Sequence, residues 1–146
     1  MNKIIEIQNN IFDEINNIKT PYLLVHCMNI SLSTKKGIVV EIEKRYNIKE
    51  LIKEKYNKND VYIGNILITN NICSLITKNR VYDKPTYDSI KQCLINLYKY
   101  CKMNNIYNLI MPKIGCGLDK LNWDKVKNII NDIFKEKEFN IIVCYI

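Results

Sequence analysis

A chain of 146 residues, 47% of them hydrophobic, has the length of one domain and can bury a core without metals or disulfide staples. Its net charge of +7 suits anionic ligands, yet lysine is spread throughout and no run of about five basic residues marks a nucleic-acid tail. No stretch of about 18 apolar residues is present, and Glu6 interrupts the start Met1-Asn2-Lys3-Ile4-Ile5-Glu6 where a signal peptide needs apolar residues. The expectation is therefore a soluble protein without membrane contact, cytoplasmic or, in a eukaryotic or viral setting, nuclear.

In chain order, Ile4, Ile5 and Ile7 predict a first strand. Ile11, Phe12 and Ile15 share one side of a short helix, with Asp13 and Glu14 in its first turn, where carboxylates meet the positive end of the helix dipole. Pro21 introduces a largely buried strand over residues 22–27. Ile38, Val39, Ile42 and Tyr46 then follow helical spacing over 37–46, and Ile48, Leu51, Ile52 and Tyr56 continue it in a second segment. Residues 61–68 and 72–77 are apolar runs around the turn-forming Thr69-Asn70-Asn71, which predicts a hairpin. Thr86 is placed to cap a long helix with Ile90, Leu94, Leu97, Tyr98 and Cys101 on its apolar face. A buried strand over 108–114 follows. Asn122 starts a helix with Val126, Ile129, Ile130 and Ile133 inward, and residues 140–146 form a last strand. Strands and helices alternate through the second half, which predicts an α/β fold with a mixed sheet covered on both faces.

The six cysteines are scattered without a C-x-x-C pair, and His26 is the only histidine, so no metal site is expected and the thiols are expected to be free. Cys116 has no second histidine to activate it as a nucleophile.

Two of the four glycines fall in Met111-Pro112-Lys113-Ile114-Gly115-Cys116-Gly117-Leu118-Asp119. A strand that runs into a Gly-x-Gly turn and on towards a helix exposes backbone N–H groups, and the missing side chains let phosphate oxygens reach them. The loop also follows a strand, on the edge of an α/β sheet where ligands bind. A tight turn without a ligand is the plainer alternative. Asn29-Ile30-Ser31-Leu32-Ser33-Thr34-Lys35-Lys36-Gly37 is a second strand-to-helix loop, hydroxyl-rich and basic, whose plainer alternative is an ordinary capped helix start.

Taken together, His26-Cys27, Gly37-Ile38, Leu75-Ile76-Thr77-Lys78, Lys84-Pro85-Thr86-Tyr87, Met111-Pro112, Ile114-Gly115-Cys116-Gly117-Leu118-Asp119 and Trp123 resemble the macrodomains. The branch they resemble is that of the terminal ADP-ribose protein glycohydrolases, with their O-acetyl-ADP-ribose deacetylase-like members. Order and spacing agree from about His26 to the C-terminus. The resemblance implies a single three-layer α/β/α macrodomain over 1–146 with a mixed central sheet, acting without cofactor or metal and as a monomer. It implies ADP-ribose in a cleft, its pyrophosphate against the two loops. Contacts are expected from Asn10 and Ile11 after the first strand, and from His26, Asn29, Ser31, Gly37 and Ile38 along the second strand and its loop. Thr77 before the lysine joins them, with Pro112, Ile114, Gly115, Cys116, Gly117 and Leu118 in the glycine loop.

The family's catalytic lysine and aspartate match Lys78 and Asp119. The residues themselves suit the roles: an amine at the end of a buried strand is partly stripped of water, the condition that favours a neutral nucleophile, and a carboxylate beside it can hold it and exchange its proton. Two positions depart from the family pattern. Asn10 stands where an aspartate usually accepts a bond from the adenine amino group, and a neutral amide accepts more weakly. Lys35-Lys36-Gly37 stands where relatives carry small residues, exchanging backbone donors for ammonium groups. The reading is a hydrolase that removes ADP-ribose from acidic protein side chains or O-acyl esters. The alternatives are an ADP-ribosylated nucleic acid as target, or a reader that binds ADP-ribose without cutting it.

Overall fold

Six strands form one sheet in the order β1-β6-β5-β2-β4-β3. They are β1 (Lys3–Gln8), β2 (Tyr22–Asn29), β3 (Ile66–Thr69), β4 (Ile72–Lys78), β5 (Asn108–Met111) and β6 (Asn140–Tyr145). This computed structural model describes residues 3–146; Met1 and Asn2, at the head of the segment weighed above as a leader, lie outside the described residues. All neighbouring strands are parallel except β3, which pairs antiparallel with β4 through the expected hairpin.

Helices α1 (Ile11–Ile15), α2 (Val39–Tyr46), α3 (Ile48–Lys55), α4 (Tyr87–Asn104) and α5 (Trp123–Ile133) cover the two faces. On one face Ile42, Ile48 and Ile52 pack with Leu24, Leu67, Ile76 and Ile110. On the other, Ile90, Leu94, Leu97, Val126 and Ile130 pack with Leu23, Val25, Leu75, Leu109 and Met111. Successive residues of β2 thus enter opposite cores, which is why its sequence is an unbroken apolar run rather than an alternation. The result is a three-layer α/β/α fold. No described helix is long and apolar enough to cross a membrane. All six cysteines are free thiols.

Helix boundaries follow local chemistry. Thr86 accepts from the Ser89 N–H at 2.9 Å and Asn122 from the Lys125 N–H at 3.2 Å, each satisfying an orphan donor of its helix. With few glycines available, asparagine takes the left-handed position that ends α2 (Asn47, φ 53°) and α4 (Asn105, φ 55°). Several boundaries differ from expectation; β2, expected over 22–27, runs on to Asn29. Strand β3 starts at Ile66 rather than at 61, because the chain turns at Gly64 (φ 97°), whose N–H donates to the Ile76 carbonyl at 2.8 Å. Strand β5 stops at Met111 rather than 114, since Pro112 has no N–H for the ladder. Helix α2 begins at Val39, two residues later than the spacing suggested.

The five parallel strands all end on one edge of the sheet. Adjacent strands β2 and β5 part company there: the chain leaves β2 for α2 on one face, whereas the loop after β5 leads to α5 on the other. Such a divergence opens a crevice at the carboxyl ends of the strands.

Candidate active site

The crevice is a cleft of about 550 Å³ walled by the loops that follow β2, β4 and β5. Lys78 is the last residue of β4, and Asp119 comes from the loop after β5, so parallel pairing around β2 brings the two together. Lys78 Nζ lies 2.5 Å from Asp119 Oδ1, with the side chains only 12% and 17% exposed. The same Nζ donates to the Val81 carbonyl at 3.0 Å. Lys36, Lys84, Lys113 and Lys120 also line the cleft, against Asp83 and Asp119, which makes it a place for a polyanion.

The two glycines of the second loop have different duties. Gly115 has φ 72°, and a Cβ there would lie 2.7 Å from Ile90 Cδ1 and 3.1 Å from Leu121 Cδ1, so backbone and packing both demand glycine. Gly117 would meet nothing within 4 Å: it leaves open space in the cleft wall. The turn is closed by Cys116 N–H to the Lys113 carbonyl (3.1 Å), Lys120 N–H to the Gly117 carbonyl (3.2 Å) and Leu121 N–H to the Gly115 carbonyl (2.8 Å). Among the described residues, the N–H groups of Gly117, Leu118 and Asp119 have no backbone acceptor, the condition for an anion-binding nest.

The first loop is organised by Asn29, which is buried. Its carbonyl accepts from the Leu32 N–H at 3.0 Å, and its side-chain oxygen accepts from the Ser31 hydroxyl and from the Ser33 N–H at 3.4 Å. These hydroxyl residues do not cap the following helix. The N-cap of α2, Ile38, offers no side-chain cap; the Val40 and Glu41 N–H groups bond back to the Gly37 and Ile38 carbonyls at 3.2 and 3.1 Å, so the N–H groups of Ile38 and Val39 are the ones left beside the cleft, where the helix dipole adds positive potential. Leu118, 69% exposed, reaches towards the first loop: a Cβ added at Gly37 would lie 3.9 Å from its Cδ1.

Residues 25–130 match the Macro domain family. The chain belongs to that family. It is 34% identical over 125 residues to the ADP-ribose glycohydrolase OARD1 of Bos taurus, a match spanning 82% of this chain and 79% of that protein. The macrodomain of Thermus aquaticus DarG superposes with a TM-score of 0.83 at 17% identity, covering 100% of both chains. Thermosipho africanus DarTG in complex with ADP-ribose does so with a TM-score of 0.81 at 15% identity, over 99% of this chain and 42% of that one. At those identities the structural likeness is one of fold.

Within this macrodomain, the cleft wall includes Asn29, Gly37, Ile38, Pro112, Ile114, Gly115, Gly117 and Leu118 together with Lys78 and Asp119. Six other expected contacts lie off it. His26 is fully buried in β2 with Nε2 2.7 Å from Ser74 Oγ, and burial pushes its pKa down to about 4, so it is a neutral core residue. Thr77 is buried on the far side of Lys78. The Cys116 thiol donates to the Ile114 carbonyl at 3.3 Å, and burial raises its pKa. Ser31 serves Asn29. Asn10 caps α1, accepting from the Phe12 N–H at 2.9 Å, and Ile11 is buried beneath it.

Sequence reasoning passed over Val81, Tyr82, Asp83, Lys113 and Lys120, all of which line the cleft. The signal for the first three was available: the 79–86 segment follows a parallel strand, as both phosphate-loop candidates do, but it has no glycine to draw attention.

Proposed function

We propose that this protein is a hydrolase that frees ADP-ribose from a modified target, with Lys78 as nucleophile and Asp119 as its proton partner. The observation that carries this reading is the Lys78–Asp119 pair at 2.5 Å, sheltered where two phosphate-suited loops converge. The name of the bovine relative and the ADP-ribose in the Thermosipho structure support it. The diphosphate of ADP-ribose meets the backbone of Gly117 to Asp119 and the start of α2, and the distal ribose reaches Lys78.

Asp119 takes a proton from the Lys78 ammonium, and the free amine attacks the anomeric carbon of that ribose. The C–N bond forms as the C–O bond to the target breaks, its electron pair leaving on the target's carboxylate. Water then adds at the same carbon as the C–N bond breaks, the proton it sheds passes to bulk solvent, and Asp119 returns its own proton to Nζ, releasing ADP-ribose and restoring the pair. The preferred targets are acidic protein side chains and O-acyl esters, whose leaving carboxylate needs no protonation. A nucleobase is the second reading, favoured by the cationic and aromatic Arg80, Tyr82 and Lys84 next to Lys78.

Incubation with ester-linked ADP-ribosylated protein and with ADP-ribosylated single-stranded DNA, followed by assay for free ADP-ribose, tests this. Release from the protein but not from DNA is expected; release from DNA alone selects the second reading. Binding of ADP-ribose with no release from either identifies a reader.

A further inference from the structure

The segment after β4 contains a closed four-residue turn, Arg80-Val81-Tyr82-Asp83. The Asp83 N–H donates to the Arg80 carbonyl at 3.0 Å, and in return the Arg80 N–H donates to Asp83 Oδ2 at 3.0 Å. Arg80 Nε lies 3.5 Å from the same carboxylate oxygen, and its guanidinium sits over the Tyr82 ring, 4.8 Å from the centroid. Four local interactions thus clamp a turn whose Arg80 and Tyr82 are exposed and whose Val81 and Asp83 are half-buried along the cleft. Its central peptide is where the turn touches the site: the Val81 carbonyl accepts from the Lys78 ammonium at 3.0 Å.

The direction of that carbonyl is the property the clamp controls. In a four-residue turn the central peptide can face either way, and the two forms differ by roughly a half-turn of that one carbonyl. The flipped form requires positive φ at the third residue, here Tyr82, which is not among the positive-φ residues. A non-glycine residue resists that flip. The Asp83 carboxylate, by holding the Arg80 N–H, keeps both ends of the turn in register around the Val81–Tyr82 peptide.

Resting on the proposed role of Lys78, we infer that Asp83 is a positioning residue for the nucleophile. Through the turn it fixes the Val81 carbonyl, which with Asp119 forms a two-point holder for Nζ. Asp119 alone leaves the ammonium free to swing about one acceptor; the second acceptor sets the line along which the amine meets the anomeric carbon. Reacting groups misplaced by an ångström lose orders of magnitude in rate, so a loosened holder shows in kcat.

The test compares Asp83→Ala, Asp83→Asn and Tyr82→Gly with the parent and with Lys78→Ala. Asp83→Ala should lower kcat by about tenfold without weakening ADP-ribose affinity, because the charge it takes from the cleft wall is negative. Asp83→Asn retains an acceptor for the Arg80 N–H and should recover most of the rate. Tyr82→Gly, which removes the barrier to the flip, should fall as Asp83→Ala does. A readout independent of turnover is the Lys78 ammonium signal in ¹⁵N-detected NMR, which should move in Asp83→Ala and stay in place in Asp83→Asn. Lys78→Ala without activity, beside Asp83→Ala at the parental rate with an unmoved signal, overturns this inference and leaves the proposed function standing. Parental turnover by Lys78→Ala overturns both. Equal losses in Asp83→Ala and Asp83→Asn overturn the holder, because the charge itself would then be what matters.

Discussion

At the Lys78 end of the carboxyl edge the polar groups meet across 41 residues of sequence, Lys78 on one strand and Asp119 on a distant loop. At the Asn10 end they bond to their own neighbours: Asn10 N–H to Asn9 Oδ1 at 2.8 Å, Phe12 N–H to Asn10 Oδ1 at 2.9 Å, Asn9 Nδ2 to Glu14 Oε1 at 3.0 Å. The first arrangement exists only if the sheet forms, and it holds two opposite charges poised for one another. The second would form in any helix start with these residues, and its polar atoms already have partners. Chemistry is therefore expected to be sensitive at one end of this edge and tolerant at the other.

The largest effect separates chemistry from binding. Lys78→Ala is expected to abolish turnover while ADP-ribose affinity, measured by calorimetry, stays within a few-fold, because the phosphate-facing backbone of Gly117 to Asp119 is unchanged. Asp119→Ala should also be inactive, because turnover needs Asp119 both to take and to return the Lys78 proton; slow attack by the small share of Lys78 present as free amine should leave an unresolved ADP-ribose adduct on Lys78, detectable by mass spectrometry. Turnover by Lys78→Ala near the parental rate would remove the distinction between the two ends.

Acid tests the floor beneath the Lys78 end. Folded His26 binds its proton only near pH 4, against an ordinary value of 6.5, because burial disfavours the charged ring. Between those values the unfolded chain takes up the proton and the folded one does not. Its contribution is therefore complete above about pH 6.5 and is lost as pH falls towards 4, a change on the order of 3 kcal/mol. Urea unfolding across this window should show the decline; a level profile would mean that His26 is not held neutral in the sheet.

The glycine loop sharpens the comparison within one motif. Gly115→Ala, which must fit a Cβ against Ile90 and Leu121 at positive φ, is expected to cost about 2 kcal/mol of stability. Gly117→Ala has open space and should stay within about 0.5 kcal/mol in stability, while weakening ADP-ribose binding because its methyl lines the cleft. Equal melting temperatures for the two variants would contradict the packing role given to Gly115.

The smallest effect belongs to the tolerant end. Asn10→Asp keeps the cap on α1 and supplies a charged acceptor, so ADP-ribose should bind more tightly by about 1 kcal/mol at most. Weaker binding would show that adenine does not reach this residue.

Much of the site was legible because its parts lie in short motifs at strand ends: Lys78 closing an apolar run, and Asp119 just past a Gly-x-Gly turn. His26 was the clearest misplacement. It shares a strand with cleft residues Cys27, Met28 and Asn29, yet lies deeper, and depth along a strand is set by register with β4 and β5. The strand expected from 61 was a similar case, since Tyr62 and Ile63 are apolar but exposed. Apolar character alone does not say which residues the sheet will cover.

By itself the sequence determined the order and type of most elements, the caps at Thr86 and Asn122, and which residues stand as candidates for phosphate binding and catalysis. Periodicity, capping and turn preference act over a few residues, so these were open to local reading. Only the tertiary structure decided that Lys78 and Asp119 form one pair, that Gly115 supports packing while Gly117 keeps the cleft wall open, and that the Arg80–Asp83 turn reaches Lys78. Those outcomes depend on which strands become neighbours and in what register, and that choice is made by the two buried cores as a whole.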